Sequence, residues 1–147
     1  MEQMRKNLKI ESFVVLLFAA LDFFYLLSQI IFEDFNNGEL PAGTDENTVL
    51  ITKIVIMVVS FVMLLPQIYV GVKGLKIAKN PDSSKAHIIW AIILLVMTIL
   101  STISPISNII KQESVSENVS RGLGLLVEVM IFFDYIRYAR AIAKENS

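Results

Sequence analysis

SFVVLLFAALDFFYLLSQIIF, residues 12–32, decides the class of this chain. The run is apolar except for one carboxylate, Asp22, near its middle, and a short polar tail at Ser28 and Gln29. At 1.5 Å per residue it is long enough to cross a hydrocarbon core of about 30 Å. Inside hydrocarbon a backbone must satisfy its own hydrogen bonds, so the run is predicted to be a helix. Asp22 at mid-bilayer costs roughly 2.5–3.5 kcal/mol on insertion scales, so it is expected to face protein or water. Tyr25 and Gln29 follow at helical spacing, with Ser28 beside them, and extend a polar stripe outward from Asp22.

Three further runs repeat the pattern. The predicted spans are 11–32, 48–74, 86–110 and 122–142 in a chain of 147 residues that is 54% hydrophobic, with a mean hydropathy of +0.62. Four crossings use roughly 80 residues, which leaves no room for a separate soluble domain. The expected architecture is an all-α polytopic membrane protein. It is a single four-helix transmembrane domain over 1–147, and its short loops make consecutive helices antiparallel neighbours in an up-down-up-down bundle. The first run follows Arg5, Lys6 and Lys9 as a signal peptide would, but it is too long for one and lacks a clean cleavage site. It is read as a retained crossing.

The sorting of cations gives the orientation. Arg5, Lys6, Lys9, Lys73, Lys76, Lys79, Lys85, Arg137, Arg140 and Lys144 fall on one side of the predicted bilayer. Only Lys53, Lys111 and Arg121 fall on the other or within a span. Positive-inside bias then places both termini in the cytoplasm of a multi-pass cell-membrane protein. The acidic first loop, 33–48, faces out. In the second turn, KNPDSSKAH, Pro81 stops a helix and Ser83 or Ser84 is expected to cap the next.

Polar residues within the spans are the candidate site. Asp22, Gln29, Glu128, Lys53, Ser101, Thr102 and Asn108 could line one ion-accessible cavity. The plainer alternative is helix-to-helix hydrogen bonding, with Lys53 pairing Glu128 across two helices. Thr98, Ser101, Pro105 and Asn108 share a face of the third span, and Pro105 interrupts its backbone ladder. Asp134 is expected to pair with Arg137 one turn on. Gly71 and Gly74 would let two helices approach closely. Lys73, Lys76, Lys79 and Lys85 could meet anionic lipid headgroups, and positive-inside bias explains them equally well. Asn118-Val119-Ser120 is a glycosylation sequon on the predicted outer side.

YVGVKGLKIAKNPDSSKAHIIWAIILLV, from Tyr69 to Val96, resembles small four-helix integral membrane proteins of low-GC Gram-positive bacteria. Its Gly-Val-Lys-Gly and Ser-Lys-Ala-His elements carry the likeness. The resemblance implies a bacterial membrane protein and brings no activity and no site residues.

Function is less legible. The sequence has no Cys and one His, no phosphate-binding loop and no nucleophile beside a base. An enzyme is therefore not expected, nor a metal, a cofactor or a nucleic-acid partner. The first expectation is a structural, interaction or accessory subunit in the lipid bilayer, forming a homo-oligomer or part of a larger membrane complex. The alternative is a small oligomeric channel or a proton- or cation-coupled transporter that uses the mid-membrane carboxylates.

Overall fold

The computed structural model describes residues 2–32, 45–82, 84–111 and 115–146, and among these there is no strand. The helices are α1 (Glu2–Phe32), α2 (Glu46–Lys79), α3 (Ala86–Ser101), α4 (Ile103–Ile110) and α5 (Val115–Glu145). Three stretches are long and apolar enough to cross a membrane: Glu2–Ser28, Leu50–Lys79 and Ala86–Asn108. Most side chains in each of these windows stay on the outside of the molecule, as a lipid solvent requires. Phe13, Leu65 and Met130 are each more than 60% exposed. The first predicted loop, residues 33–44, lies outside the described residues.

α3 and α4 read as one rod broken at Thr102. The break lies one turn before Pro105, and Pro105 is its cause. Proline has no N–H to give the carbonyl of Ser101, and its ring crowds that carbonyl, so the helix ends there. Pro105 then sits in the first turn of α4, where a missing donor costs nothing. The Thr102 hydroxyl donates to the Ile99 carbonyl at 2.6 Å, and the Thr102 N–H reaches the same oxygen at 3.1 Å. The interruption is thus satisfied locally.

α1 packs against α2 and α5, and α3 against α2 and α5, so that α1 and α3 occupy one diagonal and α2 and α5 the other. Arg5, at the start of α1, donates to the carbonyls of Ala78 and Lys79 at the end of α2, at 3.0 and 2.5 Å. It satisfies acceptors that a helix C-terminus leaves open. At the other end of this antiparallel pair Phe23 meets Phe61 edge-on, with ring centroids 5.8 Å apart.

Burial is uneven along the bundle. The continuous core is Leu8 and Val15 of α1, Val70 and Ile77 of α2, Ile88 and Ala91 of α3, and Phe132, Tyr135, Ala139 and Ile142 of α5. All lie toward the end that carries Arg5, Lys79, Lys85 and Lys144, called here the basic end. Small residues set the spacing there. A Cβ on Gly71 would come within 2.7 Å of two Leu16 side-chain atoms, and one on Gly74 would overlap the Ser12 hydroxyl and the Tyr135 ring. Without hydrophobic drive between helices in lipid, such close backbone approach is what holds them. The Tyr135 hydroxyl spans the α2–α5 diagonal and donates to the Val70 carbonyl at 2.9 Å.

The second turn departs from the expected capping. Lys85 is the N-cap of α3 and makes no side-chain cap bond. The Ser84 N–H instead donates to Asp82 Oδ1 at 2.8 Å, and Ser83 lies outside the described residues. Asp82 also binds Lys73 Nζ at 2.9 Å. These two donors hold the Asp82 carboxyl below its usual range, the lysine contact first.

Candidate functional site

Three polar side chains from three helices meet where the packed half of the bundle ends. Asp22 of α1 lies within electrostatic reach of Glu128 of α5 and beside the side chain of Gln67 of α2. Gln67 is 5% exposed. Its side-chain amide is close enough to the Asp22 carboxyl to act on it, while Nε2 makes no hydrogen bond of full geometry among the described residues. An amide carries two N–H donors and a carboxylate accepts, so the two groups are chemically complementary.

Helix periodicity explains the meeting. Ser12, Val15 and Ala19 are the buried stripe of α1, and Asp22 is the next position on that stripe. On α2, Gln67 precedes the buried Val70 and Gly74. On α5, Glu128 lies one turn before Phe132, which is 1% exposed. The three groups therefore prolong the core's own faces beyond the continuous apolar core. Asp22 itself is exposed on the single bundle, whereas Glu128 is only partly so. Gln67 draws notice in the sequence only as part of the Pro66-Gln67 kink site and is not among the candidate site residues. The signal was present in its helical register with Val70 and Gly74, but the partner that gives it meaning sits on another helix.

The remaining predicted residues divide. Ser101 donates to the Met97 carbonyl at 3.0 Å, and Thr98 to the Leu94 carbonyl at 3.0 Å. With Thr102 on Ile99, these hydroxyls are spent on their own helix, a habit of Ser and Thr within helices. Ser101 and Thr102 thus bond within their own helix, and α1, which carries Asp22, packs chiefly against α2 and α5. Asn108 is partly exposed on α4. Ser28 is exposed among the described residues and donates to the Tyr25 carbonyl at 2.8 Å. The side chains of Gln29 and Lys53 lie outside the described residues, and with them the Lys53–Glu128 pair.

Asp134 and Arg137 do not form the expected pair. Lys73–Asp82 is the ion pair among the described residues. Arg137 lies over the Tyr138 ring, 5.9 Å from its centroid. Asp134 lines the outer groove between α3 and α5 with Leu95, Ile99 and Phe133, within electrostatic reach of Glu11 on α1. The sequon also changes meaning: Asn118 is buried on α5 at 8% exposure, out of reach of a glycan.

A second buried polar group sits deeper in the core. His87 is 1% exposed, packs edge-on against Tyr135 at 6.0 Å, and neither ring nitrogen has a hydrogen-bond partner among the described residues. No group of three or more His, Cys, Asp or Glu is placed to hold a metal ion among the described residues. No protein-family model, no curated protein and no solved structure matches this chain.

Proposed function

We propose that this chain is a four-crossing, non-enzymatic protein of the cell membrane, with both termini in the cytoplasm, that works as a self-associating or accessory subunit. α5 is read as the fourth crossing of an up-down-up-down bundle. Its intramembrane carboxylates, Glu128 and Asp134, are partly shielded by neighbouring helices, and Arg137, Arg140 and Lys144 gather at the basic end, as positive-inside bias requires. The observation that carries the assembly reading is the exposure of Asp22. A carboxyl near mid-span on the outside of one bundle faces hydrocarbon at a cost of roughly 2.5–3.5 kcal/mol. A second protein surface over the α1 seam removes that cost and gives Gln67 and Asp22 further partners.

The test is stoichiometry in lipid, by single-molecule photobleaching of reconstituted protein. The wild type should be oligomeric, Asp22→Asn should remain so because an amide still bonds, and Asp22→Leu should dissociate. A wild type that is monomeric at all lipid dilutions sinks the reading unless a partner protein co-purifies with it.

The nearness of Asp22 to Glu128 favours a second reading. Two carboxyls on facing helices, beside an amide with an unused donor, suit a shared proton or a bound monovalent cation. In liposomes, proton or cation flux present in the wild type and absent in a folded Asp22→Asn variant supports transport. No flux across ions and pH leaves assembly as the function.

A further inference from the structure

The basic end holds a groove of about 510 Å³ between the first turn of α3 and the last turns of α5. Lys85, Arg140 and Lys144 stand around it, Ile88, Ile89 and Ala143 form its apolar wall, and no acidic side chain lines it among the described residues. Two other cations of this end are engaged: Lys73 is neutralised by Asp82, and Arg5 is committed to the α2 carbonyls. Lys85, Arg140 and Lys144 make no ion pair among the described residues, so their charge is concentrated on one concavity. No side chain caps the first turn of α3, which forms one side of the groove, and a helix N-terminus adds a partial positive charge.

We propose that this groove binds the phosphate of an anionic phospholipid headgroup, with an acyl chain lying along Ile88 and Ile89. The argument is complementarity. Arg140 offers a planar fork that suits phosphate oxygens, and the two lysines add point charges. Basic pockets between helices at a membrane surface bind such headgroups. The aliphatic wall matters as much as the charge, because Ile89 is 58% exposed and gives a lipid chain what a free phosphate cannot use. The site departs from the simple lysine stripe on α2: only Lys85 of the four predicted lipid contacts lines it. The inference rests on the apolar helices crossing a bilayer and is independent of the assembly and transport readings.

Trp90 is the sole tryptophan and is exposed on the same turn of α3 as Ile89, so lipid bound in or beside the groove comes close to it. The full chain is reconstituted in phosphatidylcholine vesicles containing brominated phosphatidylglycerol or, separately, brominated phosphatidylcholine, and quenching of Trp90 is compared. The wild type should prefer the anionic lipid by about fivefold or more, the factor expected of even a single cation near an anionic headgroup. Arg140→Gln/Lys144→Gln, checked by circular dichroism for intact helix, should lose the preference, while Lys76→Gln/Lys79→Gln should keep it. Equal losses in both double variants would mean diffuse surface charge and overturn the site. Inorganic phosphate in the millimolar range should leave the wild-type preference intact. If it erases the preference, the groove is a soluble-anion site and the lipid assignment fails.

Discussion

The basic half of this bundle and its far half are built from the same apolar alphabet, yet among the described residues the continuous apolar core lies in the basic half. In the basic half, Ser12, Gly71, Gly74, Ala91, Ala139 and Ala143 sit where helices meet and are buried. In the far half, Val58, Val59, Val62, Leu123, Leu126 and Val127 are large and exposed. Gly122 and Gly124 lie there too, with nothing within 4 Å of where a Cβ would be. Hydrophobicity alone therefore does not pack helices in a bilayer, since lipid tails are as apolar as leucine. Small residues in register do. The carboxyls Asp22 and Glu128 stand at the border between the two regimes, where helices are near enough to couple but not sealed.

The sharpest contrast lies within a single turn of α5. Tyr135 is fully buried and Phe133 is 61% exposed. Tyr135→Ala should destabilise the bundle by about 3–5 kcal/mol, the usual loss for a buried aromatic, whereas Phe133→Ala should cost under about 1 kcal/mol. Reversible unfolding in mixed micelles measures both. Comparable losses would mean that the far face of α5 is covered by something else.

A smaller effect reverses sign between the halves. Gly74→Ala should cost about 1–3 kcal/mol through overpacking against Ser12 and Tyr135. Gly124→Ala should gain roughly 0.5–1 kcal/mol, because alanine is the better helix former where no neighbour objects. Stability curves for the pair, taken under one set of conditions, decide it, and a loss at Gly124 would show a contact absent from the single bundle.

Tyr135→Phe isolates the diagonal hydrogen bond to Val70, and a loss of about 1 kcal/mol is expected in the same assay. No change would mean that the ring, not the hydroxyl, holds α5 to α2.

The weakest effect is electrostatic and belongs to the second turn. The Asp82 carboxyl is held below its usual range by Lys73 and then by the Ser84 N–H. Its contribution is fully present above the unfolded carboxylate value of about 3.9 and is lost as pH falls through the lower folded value. The Lys73 and Asp82 side chains are 26% and 45% exposed, so Asp82→Asn should cost under about 1 kcal/mol, and less in high salt. Unfolding midpoints of wild type and variant should converge as pH drops below 4. A gap that persists there would assign the effect to the Ser84 turn instead of the ion pair.

What the sequence determined by itself is the solvent. Long apolar runs commit the chain to helices and three of them to membrane-crossing length, because backbone groups have no other partner in hydrocarbon. It also located Asp22 and Glu128 as costly, and Gly71 and Gly74 as points of close approach. It did not reveal that Asp22 meets Gln67, that Asp134 turns from Arg137, that the hydroxyls of Thr98, Ser101 and Thr102 serve their own helix, or that Lys85 joins Arg140 and Lys144. Each of these depends on which helices are neighbours and how each is rotated about its axis. A nearly all-round apolar helix carries little record of that rotation, and tertiary contacts between small residues set it.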